Sequence, residues 1–115
     1  MKATRGAISG DVMKTFRRVR AGMSGPARAL YDERVLAIRT VLELTAERKK
    51  RRISQGAVAE RMGVSQPVIA RLERPLEEAW RQPSLSVLSR YARALGLELE
   101  FRVKRPRTAP RRRAA

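Results

Sequence analysis

The side chains able to do chemistry in this chain are almost all cations. Among 115 residues, 27 are Lys or Arg and 11 are Asp or Glu, a formal charge of +16, and there is neither histidine nor cysteine. Zinc and haem ligation, iron–sulfur clusters, disulfides, thiol nucleophiles and Ser-His-Asp triads all need residues that are missing here. Serine, lysine and carboxylates are present, but their spacing suggests no base–nucleophile arrangement, and so small a unit is a poor host for a buried reaction pocket. The expectation is therefore no enzyme, no cofactor and no metal. What is left is electrostatic chemistry with a polyanionic or negatively patched partner.

The elements that must position those cations can be read from the hydrophobic period. The charge is +6 over residues 1–29, +5 over 30–96 and +5 over 97–115, so a mixed-charge middle lies between two strongly basic ends. Only the middle has the apolar density for a core. Residues 1–10 have no usable period and read as disordered. Asp11 to Ala21 reads as a short helix, with Asp11 as N-cap, Val12, Phe16 and Val19 on one stripe, and Gly22 as its stop. Alone, a helix of that length is marginal in water, so it should order only against something else. Pro26 then opens a long helix to about Arg52, with Leu30, Val35, Ile38, Val41, Leu42 and Leu44 on one broad apolar face. Lys49 to Arg52 close it, where cations meet the negative end of the helix dipole.

Two short helices follow. Ser54 caps one that runs to Met62 with Val58, Ala59 and Met62 inward, and Gly63 breaks it. Ser65 caps the next, with Gln66 and Pro67 in its first turn and Ile69 and Leu72 inward. Only Gly63-Val64-Ser65 separates them. Three residues cannot turn a chain back antiparallel, so the two helices must cross at a large angle, which is a helix-turn-helix. Small Ala59 suits the close crossing and Val64 fills the corner. A loop from Arg74 to Pro83 carries Trp80, either as an interaction feature or as a cover between helices. Ser84 caps a last helix with Leu85, Leu88, Ala92 and Leu95 as its stripe, ended by Gly96.

Leu97 to Val103 changes period: Leu97, Leu99, Phe101 and Val103 alternate with Glu98, Glu100 and Arg102, the pattern of a strand with one buried face. A lone strand leaves its backbone unpaired. The expectation is a twin in a two-fold dimer, the alternative an extended flap over the preceding helix. Antiparallel pairing centred on Phe101 sets Glu100 against Arg102 and Glu98 against Lys104, whereas centring on Glu100 faces glutamate with glutamate. From residue 104 on, prolines and arginines cannot bury anything and read as a disordered basic tail. Arg107 and Arg111 to Arg113 suit either a DNA-following arm or simple solvation.

Ser54-Gln55, Gly63-Val64-Ser65, Ile69, Leu72-Glu73 and Pro83-Ser84-Leu85 stand at the spacings of the Cro/C1-type (XRE) helix-turn-helix family, which the chain resembles over residues 40–96. The resemblance implies an all-α, lambda-repressor-like bundle of four to five helices, here with one C-terminal strand pairing between chains. It implies that Gln55 bonds a DNA phosphate and braces the recognition helix. Ser65, Gln66, Pro67 and Arg71 would enter the major groove, with glutamine suited to adenine, arginine to guanine and Pro67 to an apolar contact such as a thymine methyl. Arg48 and Glu73 would form an internal, structural ion pair. Arg52, in the basic run, is a candidate phosphate contact or a solvated helix end.

The module from Pro83 to Gly96 and the strand after it resemble the HigA-type antitoxins. That narrower resemblance implies a DNA-binding homodimer that neutralises a RelE-like, mRNA-cleaving toxin and represses its own operon, a type II toxin–antitoxin system. A stand-alone XRE regulator and a general nucleic-acid-coating protein are the alternatives. Residues 1–25 would be a basic extension, 26–103 the helix-turn-helix domain and 104–115 the tail. No apolar run reaches the ~20 residues a bilayer span needs, and MKATRGAISG lacks a secretory apolar segment. The expected place is the cytoplasm, on the nucleoid, with no membrane partner.

Overall fold

The computed structural model describes residues 10–105; the extreme ends, and with them the arginines at 107 and 111–113, lie outside it. It is all-helical, with α1 (Gly10–Ala21), α2 (Gly25–Lys50), α3 (Gln55–Met62), α4 (Gln66–Leu72) and α5 (Leu85–Ala94). No helix among the described residues is long and apolar enough to cross a membrane.

Capping chemistry sets most of the boundaries. The Ser54 hydroxyl accepts from the amide of Ala57 at 3.0 Å and the Ser84 hydroxyl from that of Val87 at 3.1 Å. Ser65 sits at the N-cap position of α4 in extended backbone, but its hydroxyl makes no cap bond. α2, α3 and α5 end alike. After α3 the amide of Val64 reaches the Ala59 carbonyl and that of Gly63 reaches Glu60, and after α5 the amides of Leu97 and Gly96 do the same to Ala92 and Arg93. The residue at the bend is left-handed in each case: Gly63 at φ +71°, Gly96 at φ +80° and, after α2, Arg52 at φ +57°. Glycine adopts that region without a side-chain penalty. Arginine does not.

α2 is one unbroken helix of 26 residues. From Ala37 on it supplies Ala37, Ile38, Val41 and Leu44 to a core completed by Val58, Ala59, Met62, Ile69, Trp80, Leu88, Tyr91, Ala92, Ala94 and Leu95. The turns before Ala37 take α1 as their partner and also send Arg34 to Trp80 at the edge of the core. Phe16 meets Tyr31 edge-on at 6.2 Å, the Tyr31 hydroxyl donates to the Phe16 carbonyl at 3.3 Å, and Arg20 forms a two-pronged bond to Asp32 at 2.6 and 2.9 Å.

Three expectations need correction. Leu30, placed on the apolar face of α2, is 70 % exposed, because α2 enters the buried core only from Ala37 on. Leu85, placed on the buried stripe of α5, is 61 % exposed; it is the first helical residue, and the stripe begins only at Leu88 and includes Tyr91. No strand forms among the described residues. Leu97 and Leu99 are half-buried against the core, whereas Phe101 and Val103 are exposed, so the alternation is kept in burial only over its first half.

Candidate nucleic-acid interface

The centre of the candidate site is a buried carboxylate at the end of α4. Glu73 receives Arg48 through two bonds, Nε at 2.7 Å and Nη2 at 2.8 Å, and Gln55 Nε2 at 2.9 Å; the Tyr91 hydroxyl donates to it as well. The Arg48 and Glu73 side chains are only 10 % and 4 % exposed. Arg48 Nη1 also donates to the Ile53 carbonyl at 2.9 Å, tying the α2–α3 turn into the cluster. Burial alone would push the Glu73 carboxyl up, but the bonds from Arg48, Tyr91 and Gln55 outweigh it and hold the group below the ordinary carboxylate range. Burial, with the adjacent carboxylate, pushes the Tyr91 phenol well up, so it stays a donor.

From this centre a chain of bonds leads outward. Gln55, fixed on Glu73, accepts through its Oε1 from Gln66 Nε2 at 2.7 Å. The first residue of α3 thus anchors the first residue of α4. α4 buries Ile69 and half-buries Leu72, and it exposes Ser65, Gln66, Pro67 and Arg71. Ser65, Gln66 and Pro67 stand at the N-terminal end of α4, with Gln55 bonded to Gln66, and Arg71 stands in its last turn. Arg52 lies exposed at the end of α2, beyond the cluster around Glu73.

The fold brings three further groups to the site that the residue pattern alone did not single out. Tyr91 is one, since a tyrosine three residues after Leu88 reads as core until its hydroxyl partner is known. Arg90 and Arg61 are the others: Arg90 donates to the Met62 carbonyl and Arg61 to the Ala94 carbonyl, each at 2.6 Å, so α3 and α5 cap one another's C-terminal ends. Their nearness to helix C-termini was the available signal. Arg51 does similar work, donating to Leu95 at 3.2 Å and pairing with Glu47.

Trp80 is buried, and its indole donates to the Leu72 carbonyl at 2.9 Å, holding the loop to the end of α4. Arg34 of α2 lies 5.3 Å from its ring and donates to its carbonyl.

A short capped helix, a left-handed glycine turn and a second short helix with a polar outer face make a helix-turn-helix, and residues 44–101 match the family of that name. The chain belongs to the helix-turn-helix family. Within it the chain is of the XRE type and HigA-like. It is 43 % identical over 70 residues to "Antitoxin HigA1" of Mycobacterium tuberculosis, in strains CDC 1551 / Oshkosh and ATCC 25618 / H37Rv. The match covers 61 % of this chain and 44 % of those relatives, so the chain spans less than half their length. No solved structure matches. Family membership points to a DNA-binding regulator.

Proposed function

We propose that this protein is a sequence-specific DNA-binding repressor that acts as a homodimer, and that it is the antitoxin of a type II, HigBA-like toxin–antitoxin pair. The observation that carries the DNA-binding reading is the outward face of α4, polar and exposed while its inner face is pinned by Ile69 and by the bonds running from Gln66 through Gln55 to Glu73. Gln66 spends one amide hydrogen on Gln55. Its second hydrogen and its carbonyl oxygen match the two groups that adenine offers in the major groove. Arg71, one turn on, suits guanine, Ser65 adds a hydroxyl not used in capping, and Pro67 adds an apolar contact. Gln55 and Arg52 take phosphates.

Residues 26–103 make up the operative domain in this reading, and residues 1–25 and 104–115 are basic extensions that strengthen non-specific attraction to the duplex. The dimer forms through Leu97 to Val103 in the Phe101-centred register. Its support is that residues 98–105 make no backbone hydrogen bond among the described residues, and that Phe101 and Val103 are both exposed. Antitoxin activity toward a RelE-like toxin rests on the likeness to HigA1.

The test is selection of bound duplexes from a random pool, followed by gel shifts against scrambled DNA at raised salt. A recovered palindrome bound in preference to scrambled sequence is the expected result. Loss of all preference would instead favour a coating protein. The charge of +16 favours one second reading, a stand-alone regulator, since a partner for a basic nuclease is expected to be less basic. Co-purification with the product of a neighbouring gene for a small nuclease decides between the two.

A further inference from the structure

A groove of about 310 Å³ runs beside the candidate DNA-reading face, between α4, the Trp80 loop and α5. Its walls are apolar: Val64 from the turn, Val68 and Leu72 from α4, Trp80 from the loop and Val87 from α5. Three arginines, Arg71, Arg81 and Arg90, stand among them, and no lining residue is acidic. Arg71 and Arg81 make no side-chain hydrogen bond or ion pair among the described residues, and Arg90 is bonded only to the Met62 carbonyl. A site for phosphate alone would have no use for five apolar side chains. A site for a neutral apolar group would not gather three cations and no counter-charge. The walls are also held in place: Trp80 is fixed by its bond to Leu72, and Ile69 at the base is fully buried. The volume lies at the small end of the range for small-molecule sites.

We propose that this groove binds a small organic monoanion, an aromatic or branched apolar body bearing one carboxylate or sulfonate, and that its occupation excludes operator DNA. The apolar body packs on Val68, Trp80 and Val87, and the acid group lies against Arg81 and Arg71. The first half of the inference stands on the groove alone. The second rests on the proposed function, because Arg71 is there a base-reading residue and cannot serve both ligands at once. By linkage, the anion and the operator weaken each other's binding by the same factor.

Trp80 is the only tryptophan in the chain, so its indole N–H gives one unmistakable NMR signal. The full-length protein is titrated with naphthalene-1-sulfonate, and separately with methanesulfonate, inorganic phosphate and neutral 1-naphthamide. The expected result is a saturable shift of the indole signal with naphthalene-1-sulfonate, and binding by each of the other three that is weaker by roughly tenfold or more. Arg81→Glu, a change at an exposed side chain, should weaken the sulfonate by a similar factor while leaving the rest of the spectrum in place. A flat indole signal, an equal response to methanesulfonate or phosphate, or full affinity in R81E would overturn the site. Adding the duplex recovered by selection should then displace the sulfonate. Simultaneous binding of both would overturn the exclusion, whereas sulfonate binding by a protein that selects no duplex would sink the proposed function and leave the groove assignment supported.

Discussion

Replacing Glu73 by glutamine tests whether the buried carboxylate organises this domain. The substitution keeps the volume and leaves one oxygen for Gln55 or Tyr91, but it removes the charge that Arg48 faces at 2.7 and 2.8 Å. Arg48 is nine-tenths buried and has no other carboxylate among its bonds, only the Ile53 carbonyl. Removing one partner of such a pair strands a buried cation and costs on the order of 3–5 kcal/mol. A small domain has only about 5–15 kcal/mol to lose. With a urea dependence of about 2 kcal/mol per molar, the unfolding midpoint should drop by roughly 2 M at neutral pH. The acid side supplies a second reading. The Glu73 carboxyl titrates below its ordinary value of 4.5, so its contribution is fully present above that pH and is lost as pH falls through the lower, folded value. Wild-type protein should therefore lose stability more steeply than E73Q does as pH falls below 4.5. Asp32, held low by Arg20, contributes equally to both proteins. Adding Arg48→Met to E73Q should restore part of the loss, since no unpaired cation then remains. A midpoint change in E73Q within experimental error, or an unchanged acid slope, would refute the reasoning.

Arg52→Gly should raise stability by about 1 kcal/mol, because the left-handed bend after α2 costs a side chain that glycine does not have; urea unfolding checks it, with DNA affinity followed separately. Gln66→Ala and Arg71→Ala should each relax sequence choice by about 1–3 kcal/mol per lost base contact, read by competition between the selected duplex and its single-base variants. Truncation after Gly96 should convert dimer to monomer in light scattering while helical circular dichroism persists. An intact truncated dimer would remove the C-terminal segment from the interface.

The helix-turn-helix was legible because its determinants are local. Ser54 and Gly63 act within one turn of their own positions, and Val58, Ala59, Met62 and Ile69 follow a helical period that any buried helix face must show. Leu30 and Leu85 satisfied the same period and are exposed, because a period says which residues share a face and not how far along the helix a neighbour extends. The α1–α2 pairing was half legible: Phe16 was on the apolar stripe, but Asp32 as the partner of Arg20 depends on how the two helices meet. The alternation from Leu97 to Val103 is that of a strand, yet no strand forms there among the described residues, because a period shows which residues share a face and not whether a neighbouring backbone is present to bond.

The Arg48–Glu73 pair and the bracing role of Gln55 were expected from the family resemblance, whereas the link on to Tyr91 was not, and together they hold α4. Gln66 on the surface and Tyr91 in the core are 25 positions apart, yet two shared groups, Gln55 and Glu73, join them. Each of those groups is polar and would cost free energy to bury alone. Together they satisfy one another, and the series runs from buried Tyr91 through half-buried Gln55 to exposed Gln66. A short helix of seven residues has little stability of its own. Its orientation is therefore set from outside, by Ile69 in the core and by this bonded series at its first residue and just past its last. In the proposed docking that arrangement makes base recognition sensitive to changes at Arg48 and Tyr91, which are buried away from the duplex: a Tyr91→Phe protein that folds normally should still bind DNA, but with less discrimination between the selected duplex and its single-base variants.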